Sequence, residues 1–173
     1  MKKICFMIMF FCLFLWSCVG AQYIKQPYTS IEKIMHVPGF NKNEIYDQTK
    51  IFIAENFRSA KAVLEYENKE TGTIIGNGNI IYPAESGMAA LALANWRTNF
   101  TMRVDIKDEK FRCTFINIKV AWPASFDVTT GVRAAGERSI GFEQESVNIK
   151  KELLKIPDLI AFHIKKGKTN DNW

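Results

Sequence analysis

The sequence has few of the residues that most often carry chemistry. Only two of its 173 residues are histidine, His36 and His163, and only four are cysteine, at positions 5, 12, 18 and 113. There is no CxxC pair and no HxxxH pair, so the common zinc frameworks are excluded. Asn77 and Asn79, and the nearby Glu65, Glu67 and Glu70, lack the spacing of a calcium-binding loop. Gly76-Asn77-Gly78 is followed by neither a Lys-Ser/Thr pair nor a helical pattern, so it is a feature of a strand rather than a phosphate loop. Internal repeats and low-complexity tracts are absent, and long apolar runs are confined to the beginning of the chain.

That single run reads as an export leader. Lys2 and Lys3 precede apolar residues from Ile4 to Trp16, and small residues follow, too short and wrongly flanked for a transmembrane anchor. Two processing routes fit. Val19-Gly20-Ala21 suits simple cleavage before Gln22, which is the preferred reading. Leu15-Trp16-Ser17-Cys18 resembles a lipobox, which would leave Cys18 as a lipidated first residue. The expected location is the periplasm or the medium, with an outer-membrane lipoprotein attached through Cys18 as the alternative. Removing residues 1–21 lowers the formal charge from +5 to +3, a mild excess unsuited to nucleic acid. It also leaves Cys113 without a disulfide partner.

The chain is organised around a helix beginning at Asn41. Asn41 and Glu44 have the spacing of a capping box, and Phe40 and Ile45 that of a hydrophobic staple. Pro38-Gly39 turns the chain just before. Ile45, Thr49, Phe52, Ile53 and Phe57 then recur at three- and four-residue steps, making one apolar stripe that needs a sheet to lie on.

Strand patterns surround this helix. Tyr28 to Val37 is the first, with weak alternation. Ala62 to Glu67 is the second, with Ala62, Leu64 and Tyr66 on one face and Val63, Glu65 and Glu67 on the other. Thr73 to Tyr82 is the third. Its Gly76 and Gly78 point to a bulge or to another element crossing closely above. Phe100, Met102, Val104 and Ile106 alternate with polar residues, Asp108-Glu109 turns, and Phe111, Cys113 and Phe115 return. Ile118, Val120 and Trp122 shift parity, which a bulge near Asn117 explains.

Two stretches stand outside this scheme. Residues 83–97 include the Ala/Leu-rich Met88–Trp96, a short helix inserted between strands. Residues 123–146 are long, polar and unpatterned, and read as a loop excursion. A closing helix from Val147 to Lys166 should be kinked or split by Pro157 and ended by Gly167. The organisation is a leader (1–21), a linker (22–27), one domain (28–166) and a polar tail (167–173). Its fold class is α+β, an antiparallel sheet with two helices on one face.

Several stretches together resemble the bacterial family known as the domain of unknown function with TBP-like fold. They are Val37-Pro38-Gly39 leading into the capped helix, Ser59-Ala60-Lys61-Ala62-Val63 before the strand to Glu67, Gly72 to Gly78, and the hairpin from Val104 to Phe115. They span roughly Tyr28 to Trp122. Glu109 departs from the family by standing where a glycine is usual, and 123–146 is longer than typical. The resemblance implies a curved β-α-β(4)-α sheet in an exported bacterial protein. It supplies no reaction, cofactor or catalytic residue.

The residues themselves support no catalytic set. Cys113 shares parity with Phe111 and Phe115, which favours burial over nucleophilic work, and both histidines read as local or solvated. The exposed strand parity mixes Glu65, Glu67 and Asp105 with Arg103, unlike a basic nucleic-acid surface. Apolar residues on the second parity, Val63, Ile75 and Ile81, mark an interaction face, and Arg133 and Arg138 a second patch. The expected function is a non-enzymatic module that binds or scaffolds an envelope protein, with no cofactor, no metal and no nucleic acid. Membrane contact enters only through Cys18. The alternative is a small apolar ligand held between sheet and helix among Phe100, Phe111, Phe115 and Trp122.

Overall fold

A computed structural model describes residues 30–57, 64–84, 87–127 and 131–170. The sheet carries strands β1 (Ile31–His36), β2 (Leu64–Asn68), β3 (Thr73–Ile81), β4 (Arg97–Lys107) and β5 (Lys110–Trp122) in the spatial order β1-β5-β4-β3-β2, all antiparallel. Helix α1 (Lys42–Asn56) follows β1, and the short α2 (Met88–Ala92) lies between β3 and β4.

The described residues of the excursion expected over 123–146 include strands. They form a small hairpin of β6 (Ser125–Asp127) and β7 (Gly131–Arg133), then β8 (Gly136–Ser139), which joins the main sheet beside β5. β1 and β8 therefore share one edge of β5. β1 takes Lys110 to Phe115 and β8 takes Lys119 to Trp122.

The closing helix is split at Leu154 into α3 (Glu143–Leu153) and α4 (Lys155–Asn170). Pro157 sits in the first turn of α4, where its missing N–H costs nothing. The helix begins four residues earlier than its apolar pattern suggests, because Glu143 and Glu145 occupy the first turn of α3 and suit the positive end of its dipole. It also continues past Gly167. That glycine permits close packing on α1, since a Cβ there would lie 2.8 Å from Gln48 Oε1.

The capping box at α1 is complete. The Asn41 side chain accepts from the Asn43 and Glu44 N–H groups, at 2.9 and 3.0 Å, and Glu44 accepts from Asn41 N–H at 2.7 Å. The β4–β5 hairpin completes the anchorage. Asp108 Oδ1 accepts from Lys42 N–H at 2.7 Å, and Glu109 binds Val37, Gly39 and Phe40 through its carbonyl, carboxylate and N–H. Glu109 has a positive φ of 61°, so it does occupy a glycine-like position. Its contacts offset a strain of about 1 kcal/mol.

One side of the sheet is the core. Phe100, Met102, Val104 and Ile106 of β4 and Phe111, Cys113 and Phe115 of β5 face Ile45, Phe52 and Ile53 of α1 and Ile156, Ile160 and Ile164 of α4. Gly78 is the close crossing: a Cβ there would be 2.9 Å from the Phe100 ring and 3.2 Å from Phe57, at the end of α1. The parity shift in β5 is a bulge, with Phe100 facing the two residues Asn117 and Ile118, and Asn117 at φ 54°. A second bulge, between Leu64 and Tyr66, corrects the faces of β2. Leu64 packs toward the helices and Tyr66 lies on the opposite side, while Glu67 turns helixward to pair with Lys50 at 2.9 Å.

Candidate functional site

Among the described residues no helix lies over the second side of the sheet. Strand register arranges it in rows. Tyr66, Ile75, Arg103, Thr114 and Glu32 form one row, and Asn68, Thr73, Asp105, Arg112 and Ile34 the next. Toward the β8 end follow Asn77-Thr101-Ile116, then Asn79-Asn99-Lys119-Ser139, then Ile81-Arg97-Ala121-Glu137. At the opposite end stand Lys107, Lys110 and His36.

A polar relay crosses this face. Asn117 Nδ2 donates to Thr101 Oγ1 at 3.4 Å, Thr101 donates to Asn77 Oδ1 at 2.8 Å, and Asn77 Nδ2 donates to Glu65. Side chains of four strands are joined in this way, and the two in the middle, Thr101 and Asn77, each take one hydrogen bond and give another. Asparagine is a poor strand former, so these positions reflect surface chemistry rather than strand stability. The relay borders a concavity of about 470 Å³ lined by Asn77, Asn99, Thr101, Asn117, Lys119 and Glu137. Lys119 and Glu137 pair at its margin.

A second depression, of about 310 Å³, lies between Ile34, His36, Asp105, Lys107, Lys110 and Arg112. Asp105 organises the charges beside it, binding Arg103 Nη2 at 2.9 Å and Arg112 Nη2 at 3.1 Å. Partial burial pushes the Asp105 carboxyl up, but hydrogen bonds and charge from Arg103 and Arg112 outweigh it and hold the group below its ordinary range. Asp105 thus stays ionised and keeps both guanidinium groups in place.

The β8 end of the molecule has its own cluster. Tyr82, Trp96 and Trp122 pack in series, with centroids 5.7 and 5.4 Å apart, and Arg133 lies over both indoles at 5.0 and 4.9 Å. Trp122 covers Gly136, where a Cβ would come within 2.6 Å of its ring. Beside them Glu145 is buried. It takes Arg138 in two bonds of 2.6 and 2.8 Å, the Tyr82 hydroxyl at 2.9 Å and the Gly141 N–H at 2.8 Å. Burial raises the Glu145 carboxyl, but these donors outweigh it and set it below the usual range. The Tyr82 phenol is pushed up to about 12 by burial and by its bond to Glu145.

The residues singled out in the sequence fall in different places. Ile75 is half-buried on the uncovered face, and Ile81 is 66% exposed at its β8 end. Val63 and Cys18 lie outside the described residues. Arg133 is exposed but stacked, and Arg138 turns inward to Glu145. Cys113 is fully buried, and burial pushes its thiol far above the ordinary range. His36 stands on the uncovered face, while His163 packs against Phe52 on the helix side at 5.7 Å, so the sheet separates them. Among the described residues no group of His, Cys, Asp and Glu is placed to hold a metal. Between sheet and helix the void beside Phe57 and Gly78 measures about 20 Å³, room for one water. Phe100, Phe111 and Phe115 fill this core.

Sequence reasoning missed the asparagine–threonine relay and the Glu145 network. The relay had a signal, since Asn77, Asn79, Asn99 and Asn117 interrupt strand patterns. Glu145 had none, because its partners come from Tyr82 just after β3, from β8 and from Gly141.

No curated protein is significantly similar in sequence. Among solved structures, a DUF4468 family protein from Bacteroides ovatus aligns with a TM-score of 0.55 at 14% identity, over 85% of this chain and 90% of that one. A TBP-like protein from Parabacteroides distasonis aligns with a TM-score of 0.57 at 9% identity, over 82% and 96%. At such identities the likeness is one of fold. Residues 32–121 match the family described as domain of unknown function (DUF4468) with TBP-like fold, and the chain belongs to that family.

Proposed function

We propose that the protein is a non-enzymatic binding module of the bacterial envelope, exported by the leader in residues 1–21, and that it holds a partner protein on the uncovered sheet face. One observation carries this reading. The helices fill one side of the sheet and leave on the other a broad face with two concavities and a fixed arrangement of charged and amide groups. Interactions preset in this way cost little ordering on binding. The mixture of Arg97, Arg103, Arg112 and Lys119 with Glu32, Asp105 and Glu137 favours a polar protein surface. Tyr66 is the one aromatic residue in its rows, so the intercalating wedges that nucleic acid would require are missing among the described residues. The interior void is too small for the rival apolar ligand.

The test is site-directed photo-cross-linking in the producing cell. Probes at positions 101 and 114, on the uncovered face, should capture one dominant envelope protein, and Arg103→Glu should abolish that product. Probes at Ile51 and Phe162, exposed on α1 and α4, should not capture it. Capture from the helix side with none from the sheet face would refute this reading.

A further inference from the structure

Four of the most exposed large apolar side chains lie at one end of the molecule. They are Met88 at 83%, Val132 at 77%, Leu91 at 74% and Ile81 at 66%. Register places the end of β3, the start of β4, the end of β5 and the start of β8 together there, through Ile81–Arg97, Arg97–Ala121 and Trp122–Gly136. Met88 and Leu91 belong to the α2 connection between β3 and β4. Val132 belongs to the β6–β7 hairpin, which Arg133 holds against Trp96 and Trp122. The opposite end is polar, built from Asp108, Glu109, Lys42 and the Lys69–Gly72 turn.

The direction of β1 adds a second fact. Ile31 lies opposite Phe115 and His36 opposite Lys110, so β1 runs away from the apolar end and its first residue is the one nearest to that end. Twenty-nine residues precede the described part, including the leader and Cys18.

We infer that this end is a membrane-docking tip. Ile81, Met88, Leu91 and Val132 enter the boundary between headgroups and acyl chains, Trp96 and Trp122 sit at headgroup depth, and Arg133 meets lipid phosphate. Each residue type matches its level: apolar side chains gain by leaving water, indoles favour the interface, and cations are drawn to anionic headgroups. No helix among the described residues is long and apolar enough to cross a bilayer, so the contact through these elements is superficial. This tip adjoins the partner-binding face at Ile81, and neither proposal depends on the other.

The experiment uses the exported protein carrying Cys18→Ser, so that no acyl chain contributes. It is sedimented with vesicles of phosphatidylethanolamine and phosphatidylglycerol at 3:1, while tryptophan emission is recorded. Co-sedimentation with a blue shift is expected. Met88→Asp with Leu91→Asp, and separately Val132→Asp, should each lower the vesicle-bound fraction at least fivefold, with unchanged circular dichroism. Arg103→Glu, on the partner face, should leave it unaltered. No binding above a vesicle-free control overturns the proposal. So does a dimer that the Met88→Asp variant dissociates, which would make a second copy the occupant. A cross-link from position 88 to residues 22–29 within one molecule, persisting with vesicles present, overturns it in favour of that segment.

Discussion

Glu145 is the one carboxylate among the described residues that the fold takes almost wholly out of water, and it is ringed by donors from three segments. Removing its charge strands Arg138. Glu145→Gln should therefore cost about 2–4 kcal/mol at neutral pH, read by denaturant melts. Its lowered native value makes the contribution pH-dependent with a definite sign. The stabilisation is complete above the ordinary glutamate value of 4.5 and is lost as pH falls through the lower native one. Wild-type stability should fall in that acid range and the variant's should fall less. Tyr82 behaves oppositely, contributing below pH 10 and losing that contribution as pH rises toward about 12. In sequence, Arg138 read with Arg133 as part of an exposed interaction patch, because its partner is reached only through the β8–α3 turn. Gly78 and Asn117 were legible because each disturbs a local pattern: a glycine inside a strand and a shift of parity.

Among the elements, the hairpin and α1 act as a unit. Asp108 accepts the first helical N–H, and Glu109 ties down the residues preceding the cap. Asp108→Ala should destabilise the protein by about 1 kcal/mol, lowering Tm by a few degrees without altering the far-ultraviolet spectrum. Asp108→Asn, which keeps an acceptor, should recover much of the loss. The capped helix and the β4–β5 hairpin were readable because their periodicity and caps lie within short windows. β8 was not. Gly136-Glu137-Arg138-Ser139 has no apolar residue, so it offers no alternation to detect, and its strand state comes from pairing with β5. The bulge between Leu64 and Tyr66 was hidden for a similar reason. The two residues alternate regularly in sequence, and only pairing with β3 shows that one position is added.

At the scale of the molecule, the sheet divides two environments. One is filled by aromatic and branched side chains down to a void of about 20 Å³, and the other is an arranged polar surface. The purified protein should give the bare polypeptide mass in native mass spectrometry. A retained small apolar ligand would contradict the packing of Phe57, Phe100 and Phe115. The α+β class was evident from the order of elements. The uncovered face was evident only in part, because single residues such as Ile75 showed a second apolar parity while the asparagine rows emerge only once register is known.

The place of β1 has a consequence in time. Ile31 pairs with Phe115 and His36 with Lys110, so the first strand to be synthesised has no partner until the chain has grown past residue 115. Contacts so distant in sequence form slowly, because a long loop must close before they give any return. The capped helix and the β4–β5 hairpin can form early, but β1 joins them only late. Until then the chain stays open and threadable, a property that any passage through a narrow channel would require.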